Sequence, residues 1–524
     1  MKKIMAGIFI GTLVLGVSCK KYLDINTNPN NATSATPELI LPQALAYSAN
    51  ITNGFNSYGA QTGLYAANAG GYGGFGESIT YNYTTTGTGT WAGSYDCLED
   101  YQAIVNKSEG QPLYSYFSGV AKIMKAYHFQ LLVDAYNDVP YTDALQGAAL
   151  LNPTYSSGKD IYKDLASQLD SGIAAINFGA TVPGVTPLGT SDVVFGNDMT
   201  KWKQLANTLK LRIIIRGSGK VEFANTTFSP DGFLTTDAMI NPGYTRDNQR
   251  QNPLWNSWAF DYTGTPGNKA WMPSQFIFGF YDGHTISDSA RGKATFYQWP
   301  DSATQKAVTG TNRLGIESNG LTSSPSGSFW YSSTNRDGKS AGNSVGILKG
   351  PNQGMPILLA AESYFLQAEA SLKGLVTGTT PASLFDKGVL AAFNYIYQLP
   401  DKTITANVAD MVAAYKVKNG SNYLVDFSFA TTDAQKLEAI ITQKFIALNF
   451  TESYEGWNEY RRTHYPKIVV GGNGYQTFSS SVSESPRPDK LPTRILYPVS
   501  EGTYNGENVP ANVSPFSSLI FWAL

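Results

Sequence analysis

The chain has 524 residues and a formal net charge of −2, and only 15% of its residues are charged, against about 25% in a typical soluble protein. This balance excludes a general basic surface for nucleic acid, and 3 His with 2 Cys exclude a zinc-finger array or a disulfide scaffold. Aromatic residues make up 13% of the chain, and this high aromatic content beside so few charges is what a function has to explain.

The N-terminus is typical of a secreted protein. Lys2 and Lys3 precede the apolar residues 4–17, a stretch too short to span a hydrocarbon core about 30 Å thick. The stretch ends in Gly16-Val17-Ser18-Cys19, which resembles the lipobox of bacterial lipoproteins. We therefore expect 1–18 to be a signal peptide and Cys19 to be the acylated first residue of the mature chain. The alternative is an ordinary signal peptide beside an incidental cysteine.

Residues 19–36 are rich in Asn, Pro and Thr and are predicted to form an extended tether behind the lipidated Cys19. A first helix is predicted over 39–50. The Gly-, Tyr- and Thr-rich residues 53–94 are predicted to form an exposed loop system without helix.

Apolar residues then recur at helical spacing behind Pro112 and over 160–178 and 200–216. Residues 37–230 are thus predicted to be an N-terminal helical scaffold that carries the Gly-rich loop. Helical periodicity fades in 231–350, where Gly, Pro, Ser and Thr recur among large aromatic residues. This segment is predicted to be an irregular ligand-binding insertion.

Helical patterns resume with Pro356, which is predicted to open a helix over 358–373. Further helices are predicted over 383–399 and 432–450, the last with a capping box formed by Thr432 and Gln435. The pattern predicts a C-terminal helical scaffold over 351–466 and a loop-rich segment over 467–524. Small residues at the expected helix crossings favour tetratricopeptide-like pairs, although no strict 34-residue repeat is visible.

Several short blocks stand in a fixed order along the chain. They are Asp138-Val139-Pro140-Tyr141, residues 202–212, residues 360–370, residues 442–448 with 455–463, and residues 494–501. With the lipobox, this ordered set resembles the SusD/RagB family of nutrient-binding outer-membrane lipoproteins from the Bacteroidetes, and more narrowly its SusD-like branch. Residues 287–291, Ser-Asp-Ser-Ala-Arg, look like a variant of the family's Asp-Pro-Arg segment without the proline.

The resemblance implies a mostly α fold with a tetratricopeptide-like scaffold and a long irregular insertion. It also implies a lipoprotein that is anchored in the outer membrane and faces the cell exterior. Such proteins act as lids on a SusC-type TonB-dependent transporter and pass captured glycans or peptides to its pore. No bond is made or broken, so neither an enzyme nor a cofactor is implied.

The aromatic residues outside the periodic helices are the candidate ligand contacts. Sugars present flat C–H faces on which rings can stack, and neutral glycans need few charged partners. The candidates are Tyr72, Phe75, Trp255, Trp258, Tyr262, Trp330 and Tyr331. The alternative for each tryptophan is a place in the core of its own loop. An oligosaccharide is the expected ligand, and an oligopeptide is the second choice.

Charged residues in the helical blocks allow two interpretations. Glu362 and Glu369 share one helix face and could be an acid–base pair, but hydrogen bonding to neighbouring helices is favoured. Arg461 and Arg462, with Glu455 and Glu459 nearby, could recognise an anionic ligand, but an intramolecular ion-pair network is favoured.

Signals for catalysis and metal binding are weak. None of the three histidines has a His or Cys partner at ligand spacing, and no phosphate-binding loop is present. Acidic neighbours of Cys97 would raise its thiol pKa and disfavour a nucleophile. Two further function classes remain open, a lipid-anchored glycan-degrading enzyme and a surface adhesin. The acids near the aromatic clusters form no recognisable catalytic pair; they are Asp261, Asp282, Asp288 and Asp337.

Overall fold

The structure is a computed structural model that describes residues 35–68, 76–85, 89–268, 270–296, 299, 314 and 344–524. Helices dominate it, and the predicted mostly α fold is confirmed. In the part of the chain described, no helix combines the length and the apolar character that a bilayer span requires.

The N-terminal block is a series of helices: α1 (Pro37–Gly59), α2 (Glu77–Thr80), α3 (Thr90–Ser108), α4 (Ser115–Tyr136), α5 (Gly158–Gly179) and α6 (Met199–Gly217). α1 packs on α3, α3 on α4, α4 on α5, and α5 on α6. α4 and α5 approach closely at Gly119, where a Cβ would lie 2.8 Å from the carbonyl oxygen of Gly172. The three predicted long helices of this block are confirmed.

The predicted loop system over 53–94 is wrong at both of its ends. α1 continues to Gly59 and passes into a π-helical turn, Ala60–Leu64, and α3 begins at Thr90. Phe55 and Tyr58 are buried in the core. Gly59 is a packing residue, because a Cβ there would lie 2.4 Å from the backbone nitrogen of Tyr454.

The insertion holds short helices: α7 (Pro253–Trp258), α8 (Gln275–Asp282) and α9 (Ser289–Thr295). Short antiparallel ribbons join distant parts of the chain. Their strands are β1 (Ala66–Asn68), β2 (Val139–Pro140), β3 (Tyr155–Ser156), β4 (Ala238–Ile240), β5 (Trp271–Pro273) and β6 (Met355–Leu358). β1 pairs with β5, β2 with β3, and β4 with β6.

The C-terminal block contains α10 (Ala360–Leu372), α11 (Pro381–Tyr397), α12 (Val408–Asn419), α13 (Asp433–Ala447), α14 (Ser453–Thr463) and α15 (Val499–Tyr504). α10 packs on α11 and on α6, whereas α14 packs on α1, so the two blocks share one core. The predicted capping box of Thr432 and Gln435 is confirmed at the start of α13.

Pro356 does not open a helix, and that prediction is wrong. It lies in β6, opposite Met239 of β4. α10 begins only at Ala360, whose backbone N–H donates to Asp237 Oδ1 at 2.8 Å. The Asp237 carboxylate, from a distant segment, thus accepts from a backbone N–H at the start of α10 that has no partner within the helix. Pro356 was expected to begin this helix.

A buried network of ion pairs joins the two helical blocks. It links α4, α6, α10, α13 and α14 through Arg216–Asp134 at 2.6 Å, Arg216–Glu455 at 2.5 Å, Arg212–Glu362 at 3.4 Å, Lys444–Glu459 at 3.1 Å and Arg462–Glu369 at 2.7 Å. The predicted intramolecular network is confirmed, and Glu362 and Glu369 belong to it as acceptors.

Cys97 and His128 lie together in the core between α1, α3 and α4. The Cys97 thiol is 3.4 Å from Ser48 Oγ, which also lies 2.7 Å from His128 Nε2. Burial raises the pKa of Cys97 to about 12, with smaller contributions from Asp100 and Asp96. The expected rise of the thiol pKa is confirmed, and burial is its main cause.

Candidate functional site

The ribbon of β1 and β5 positions one of the Gly-rich loops. Asn68 lies opposite Trp271 and is the last described residue before 69–75. The side chain of Asn268 shapes the entry to β5, because its Oδ1 accepts from the backbone N–H of Trp271 at 3.0 Å and its Nδ2 donates to the Trp271 carbonyl at 2.8 Å. Trp271 is half-buried and therefore keeps part of its ring at the surface.

A tight hairpin directly before β5 holds Tyr262 outward. Asp261 Oδ1 accepts from the backbone N–H groups of Thr263 and Thr265, both at 2.9 Å, and Phe260 bridges to Pro266. The Tyr262 side chain is 45% exposed, the largest exposure of any described aromatic residue in the predicted insertion.

The base of this hairpin rests on α7. A Cβ at Gly267 would lie 2.5 Å from the carbonyl oxygen of Asn256, so only glycine allows the contact. α7 is fixed to α1 in turn, since Trp258 Nε1 donates to Ser57 Oγ at 3.0 Å. The hairpin is thereby held on the helical scaffold.

Tyr81 joins two further segments to the same place. Its hydroxyl donates to the carbonyl of Thr62, in the π-helical turn before β1, at 2.5 Å, and accepts from the backbone N–H of Ser480 at 3.2 Å. Ser481 N–H donates to the carbonyl of Leu314 at 2.9 Å. Segments 76–85 and 478–484 and the isolated residue Leu314 therefore adjoin the β1–β5 ribbon.

We call this surface the loop face and define it by the β1–β5 ribbon, the hairpin 259–267, segment 76–85 and segment 478–484. Residues 69–75 and 86–88 are continuous in sequence with its described segments, and Leu314 of the long insertion is anchored on it. The segments that contain Tyr72, Phe75, Trp330 and Tyr331 are far apart in sequence. Each of them begins or ends next to a residue that lies on the loop face or contacts it.

The predicted site residues fall into three groups. Tyr262 is exposed on the loop face. Trp255 and Trp258 are buried, at 0% and 4% exposure, and the Trp258 ring packs edge-on against Phe450 with centroids 4.5 Å apart. As ligand contacts they stay predictions, and a ligand could reach them only if these core contacts separated. The others lie outside the described residues: Cys19, Tyr72, Phe75, Trp330 and Tyr331.

The structure adds an aromatic pair that sequence reasoning missed. The rings of His284 and Tyr475 stack with centroids 3.7 Å apart and planes 8° apart. His284 Nδ1 lies 2.9 Å from Asp282 Oδ1, which fixes the orientation of the imidazole. The two residues come from distant parts of the chain, so only the fold brings them together.

Each described carboxylate near the aromatic clusters is engaged within the fold. Hydrogen bonds from Thr263 and Thr265 lower the pKa of Asp261. Asp288 is buried and pairs with Arg291 at 2.5 Å, and burial raises its pKa despite the guanidinium. Asp282 binds the His284 ring. Asp337 lies outside the described residues. Among the residues described, no group of three or more His, Cys, Asp or Glu side chains could hold a metal ion.

Comparisons with known proteins agree on one family. The model of the SusD-like family, described as starch-binding and associating with the outer membrane, matches residues 29–498. No curated protein matches the chain.

Solved structures with the same fold include three SusD homologues. One from Bacteroides fragilis is 18% identical, covers 94% of this chain and 100% of its own, and has a TM-score of 0.67. One from Bacteroides uniformis is 21% identical over 93% and 99%, with a TM-score of 0.67. A chitin-binding one from Flavobacterium johnsoniae is 21% identical over 92% and 98%, with a TM-score of 0.66. Since the family model spans most of the chain and the fold is shared over nearly its whole length, the chain belongs to the SusD-like family of outer-membrane-associated proteins.

Proposed function

We propose that the protein captures an oligosaccharide at the loop face and passes it to a SusC-type TonB-dependent transporter. The observation that supports the proposal is the pairing of β1 with β5, which sets the half-buried Trp271 opposite Asn68, just before the segment that holds Tyr72 and Phe75. The exposed Tyr262 lies in the hairpin that precedes β5. The family's description as starch-binding and a chitin-binding relative with the same fold favour a glycan over a peptide.

The chemistry of the loop face suits a neutral ligand. Aromatic rings offer stacking surfaces to the C–H faces of sugars, and Oδ1 of the nearby Asp261 carboxylate already accepts hydrogen bonds from Thr263 and Thr265 of its own hairpin. The nearest cation is Arg246, whose Nε donates to the Tyr262 carbonyl at 3.2 Å. The stacked His284–Tyr475 pair, which lies outside the segments that define the loop face, offers another flat surface with an oriented ring nitrogen.

Binding should be measured first on the mature chain truncated after Cys19, against a panel of neutral oligosaccharides and peptides. We expect at least one oligosaccharide series to bind, with affinity that rises with chain length as more rings are covered. Binding of peptides alone would assign the loop face to an oligopeptide, and binding of neither would contradict capture at this face.

Replacing Tyr262 by alanine is expected to weaken glycan binding about tenfold or less without changing stability, because an exposed ring contributes about 1 kcal/mol. Trp258→Ala is the contrasting variant. It removes a buried ring and the Ser57 hydrogen bond and should destabilise the fold by about 3–5 kcal/mol.

The two variants are compared by calorimetric binding and by denaturant unfolding, with Tyr504→Ala as a control because Tyr504 is 77% exposed and lies on α15. Unchanged affinity in Tyr262→Ala would remove Tyr262 from the site. A Trp258→Ala variant with normal stability and lost binding would place Trp258 in the site, as the sequence predicts.

The proposed role is binding without catalysis. A lipid-anchored glycosidase would need two carboxylates at a fixed separation beside the ligand, about 5–5.5 or 6.5–9.5 Å apart. Asp261 serves the hairpin, Asp282 the His284 ring and Asp288 the Arg291 side chain instead. Glu484 of the loop face accepts from Asn82 Nδ2 at 2.7 Å. Incubation of the protein with a bound glycan should release no reducing ends, and any release would favour the enzyme.

Membrane attachment and the transporter partner are part of the same proposal. Lipidation at Cys19 would anchor the protein, and Cys19→Ala should shift it from the membrane fraction to the soluble fraction. Intact lipoprotein purified from detergent-solubilised outer membrane should bring a β-barrel transporter with it. Purification without a barrel, together with no soluble-ligand binding, would favour a surface adhesin.

A further inference from the structure

A groove of about 610 Å³ lies on the helical scaffold between α3, α4 and α5, next to the loop that follows β2. It is separate from the loop face, since no segment that defines the loop face lines it. Its walls are mostly polar and carry side-chain amides, two lysines and the ring of Tyr141.

Two cations of this groove have no acidic partner among the described residues. Lys122 and Lys125, from one face of α4, form no ion pair there, and Lys122 Nζ makes no hydrogen bond there. Lys125 Nζ donates only to the amide oxygen of Gln102. The nearby acid Asp164 does not line the groove, and its carboxylate accepts from the Tyr141 hydroxyl at 2.5 Å and from Gln168 Nε2 at 3.2 Å.

The pKa of Lys125 also indicates that the groove favours a negatively charged ligand. Burial and, to a smaller extent, the neighbouring charge of Lys122 lower this pKa to about 8, against an opposing effect of Asp164 and Glu99. An anion placed between the two ammonium groups would relieve this repulsion. The groove is therefore complementary to negative charge.

The lining favours an extended peptide over a sugar acid. Side-chain amides of Gln102, Asn106, Gln146 and Gln168 line the groove, and amides carry donors and acceptors that match a peptide backbone. Gln102 Nε2 donates to Asn106 Oδ1 at 2.6 Å, whereas the Gln146 side-chain amide makes no hydrogen bond with any described residue. The rings of the lining are engaged within the fold, because Phe129 is 2% exposed and packs edge-on against the half-buried Tyr141, whose hydroxyl donates to Asp164.

We propose that this groove binds an extended acidic peptide segment of a partner protein, with Lys122 and Lys125 pairing with its carboxylates. The amides of the walls would hold the backbone of the segment. The site is independent of the ligand captured at the loop face.

The test uses the mature chain and a fluorescent hexaglutamate peptide, capped at both ends, in an anisotropy titration at low and physiological salt. We expect binding that weakens with salt, because exposed charges are screened. A capped hexaglutamine peptide should bind at least tenfold more weakly. Lys122→Gln/Lys125→Gln should lower hexaglutamate affinity at least tenfold.

The matched control is Lys159→Gln/Lys163→Gln, which removes the same charge from exposed positions of α5. An equal loss of affinity in this control would overturn the proposal, since the effect would be one of overall charge. Trigalacturonate binding more tightly than hexaglutamate, with the same dependence on Lys122 and Lys125, would overturn the peptide as occupant. Tyr262→Ala should leave hexaglutamate affinity unchanged, which separates this site from the loop face.

The pH dependence gives a second readout. Because the pKa of Lys125 is lowered to about 8, hexaglutamate affinity should fall as the pH rises from 7 to 9. An ordinary lysine, with a pKa near 10.4, would keep its charge over this range. Affinity that stays constant to pH 9 would contradict a role for Lys125.

Discussion

Replacing Arg216 by alanine is expected to destabilise the protein by about 3–5 kcal/mol, because it leaves buried carboxylates without their counter-charge. Arg216 is 2% exposed. Its Nη1 lies 2.6 Å from Asp134 Oδ2, and its Nη2 lies 2.5 Å from Glu455 Oε2 and 3.3 Å from Glu459 Oε1. One side chain of α6 thus neutralises acids of α4 and α14 at the contact between the two helical blocks.

The pKa of Glu455 shows how strongly the arginines stabilise the buried carboxylates. Burial alone would raise the pKa of Glu455, but the guanidinium groups of Arg212 and Arg216 hold it at about 2. Its contribution to stability is present above the unfolded pKa, near 4.3, and is lost as the pH falls towards 2. Without Arg216 this pKa should rise, so the variant should also become sensitive to acid at a higher pH.

Arg250→Ala is the matched control for this prediction. Arg250 also faces an acid, Asp247, but at 3.8 Å and with both side chains more than 60% exposed. An exposed pair of this kind contributes about 0–1 kcal/mol. Denaturant unfolding of both variants measures the difference, and a similar small loss in each would contradict the structural importance of the network.

The sequence predicted well which residues of α10 and α14 belong to this network. Glu362 and Glu369 are seven residues apart, and the Glu and Arg residues of 455–462 recur at helical spacing, so shared faces could be inferred from periodicity alone. The counter-charges could not be assigned in the same way. Arg216 and Lys444 come from other helices, and a contact between separate helices leaves no periodic signal.

The candidate site was harder to predict for a related reason. Trp255 and Trp258 lie three residues apart in α7, a helix of 6 residues that is too short to show an apolar stripe. Asn252 caps this helix through its Oδ1 and the Trp255 backbone N–H at 2.9 Å. Composition indicated an irregular segment rich in rings, but burial depends on where α7 packs on α1, which is a long-range contact.

Long-range packing at Gly59 and Gly456 also explains why the predicted loop system over 53–94 has a wrong boundary. Gly59 lies in a Gly- and Tyr-rich stretch, where glycine favours a loop by propensity. Gly59 and Gly456 are nevertheless both required, because α1, the turn after it and α14 approach closely there. At Gly456 a Cβ would lie 2.1 Å from the Tyr65 hydroxyl. Tertiary packing overrides local propensity at such crossings.

His128→Gln is expected to remove a dependence of stability on pH that costs the wild type about 2 kcal/mol between pH 7 and 5. His128 is fully buried on α4, and burial lowers its pKa to about 3. Its Nε2 lies 2.7 Å from Ser48 Oγ, and its Nδ1 has no hydrogen-bond partner among the described residues. A proton on this ring would add a charge with no acceptor beside it.

The direction of this pH dependence follows from the pKa values of His128 in the unfolded and in the folded protein. The unfolded histidine, with a pKa near 6.5, takes up a proton as the pH falls, while the folded one stays neutral until about pH 3. The free energy of unfolding therefore falls by about 1.4 kcal/mol per pH unit below 6.5, and the full loss by pH 3 is about 5 kcal/mol.

Buried carboxyl groups act in the opposite direction over part of this range. Burial raises the pKa of Asp134 and of Glu452, so both take up protons in the folded state before they would in the unfolded chain. The informative quantity is therefore the difference in pH slope between wild type and His128→Gln, measured by denaturant unfolding from pH 7 to 5. His284→Gln is the control for replacement of an exposed histidine. Equal slopes in wild type and His128→Gln would mean that His128 is protonated within the folded core, which would require an acceptor for Nδ1 that the described residues do not provide.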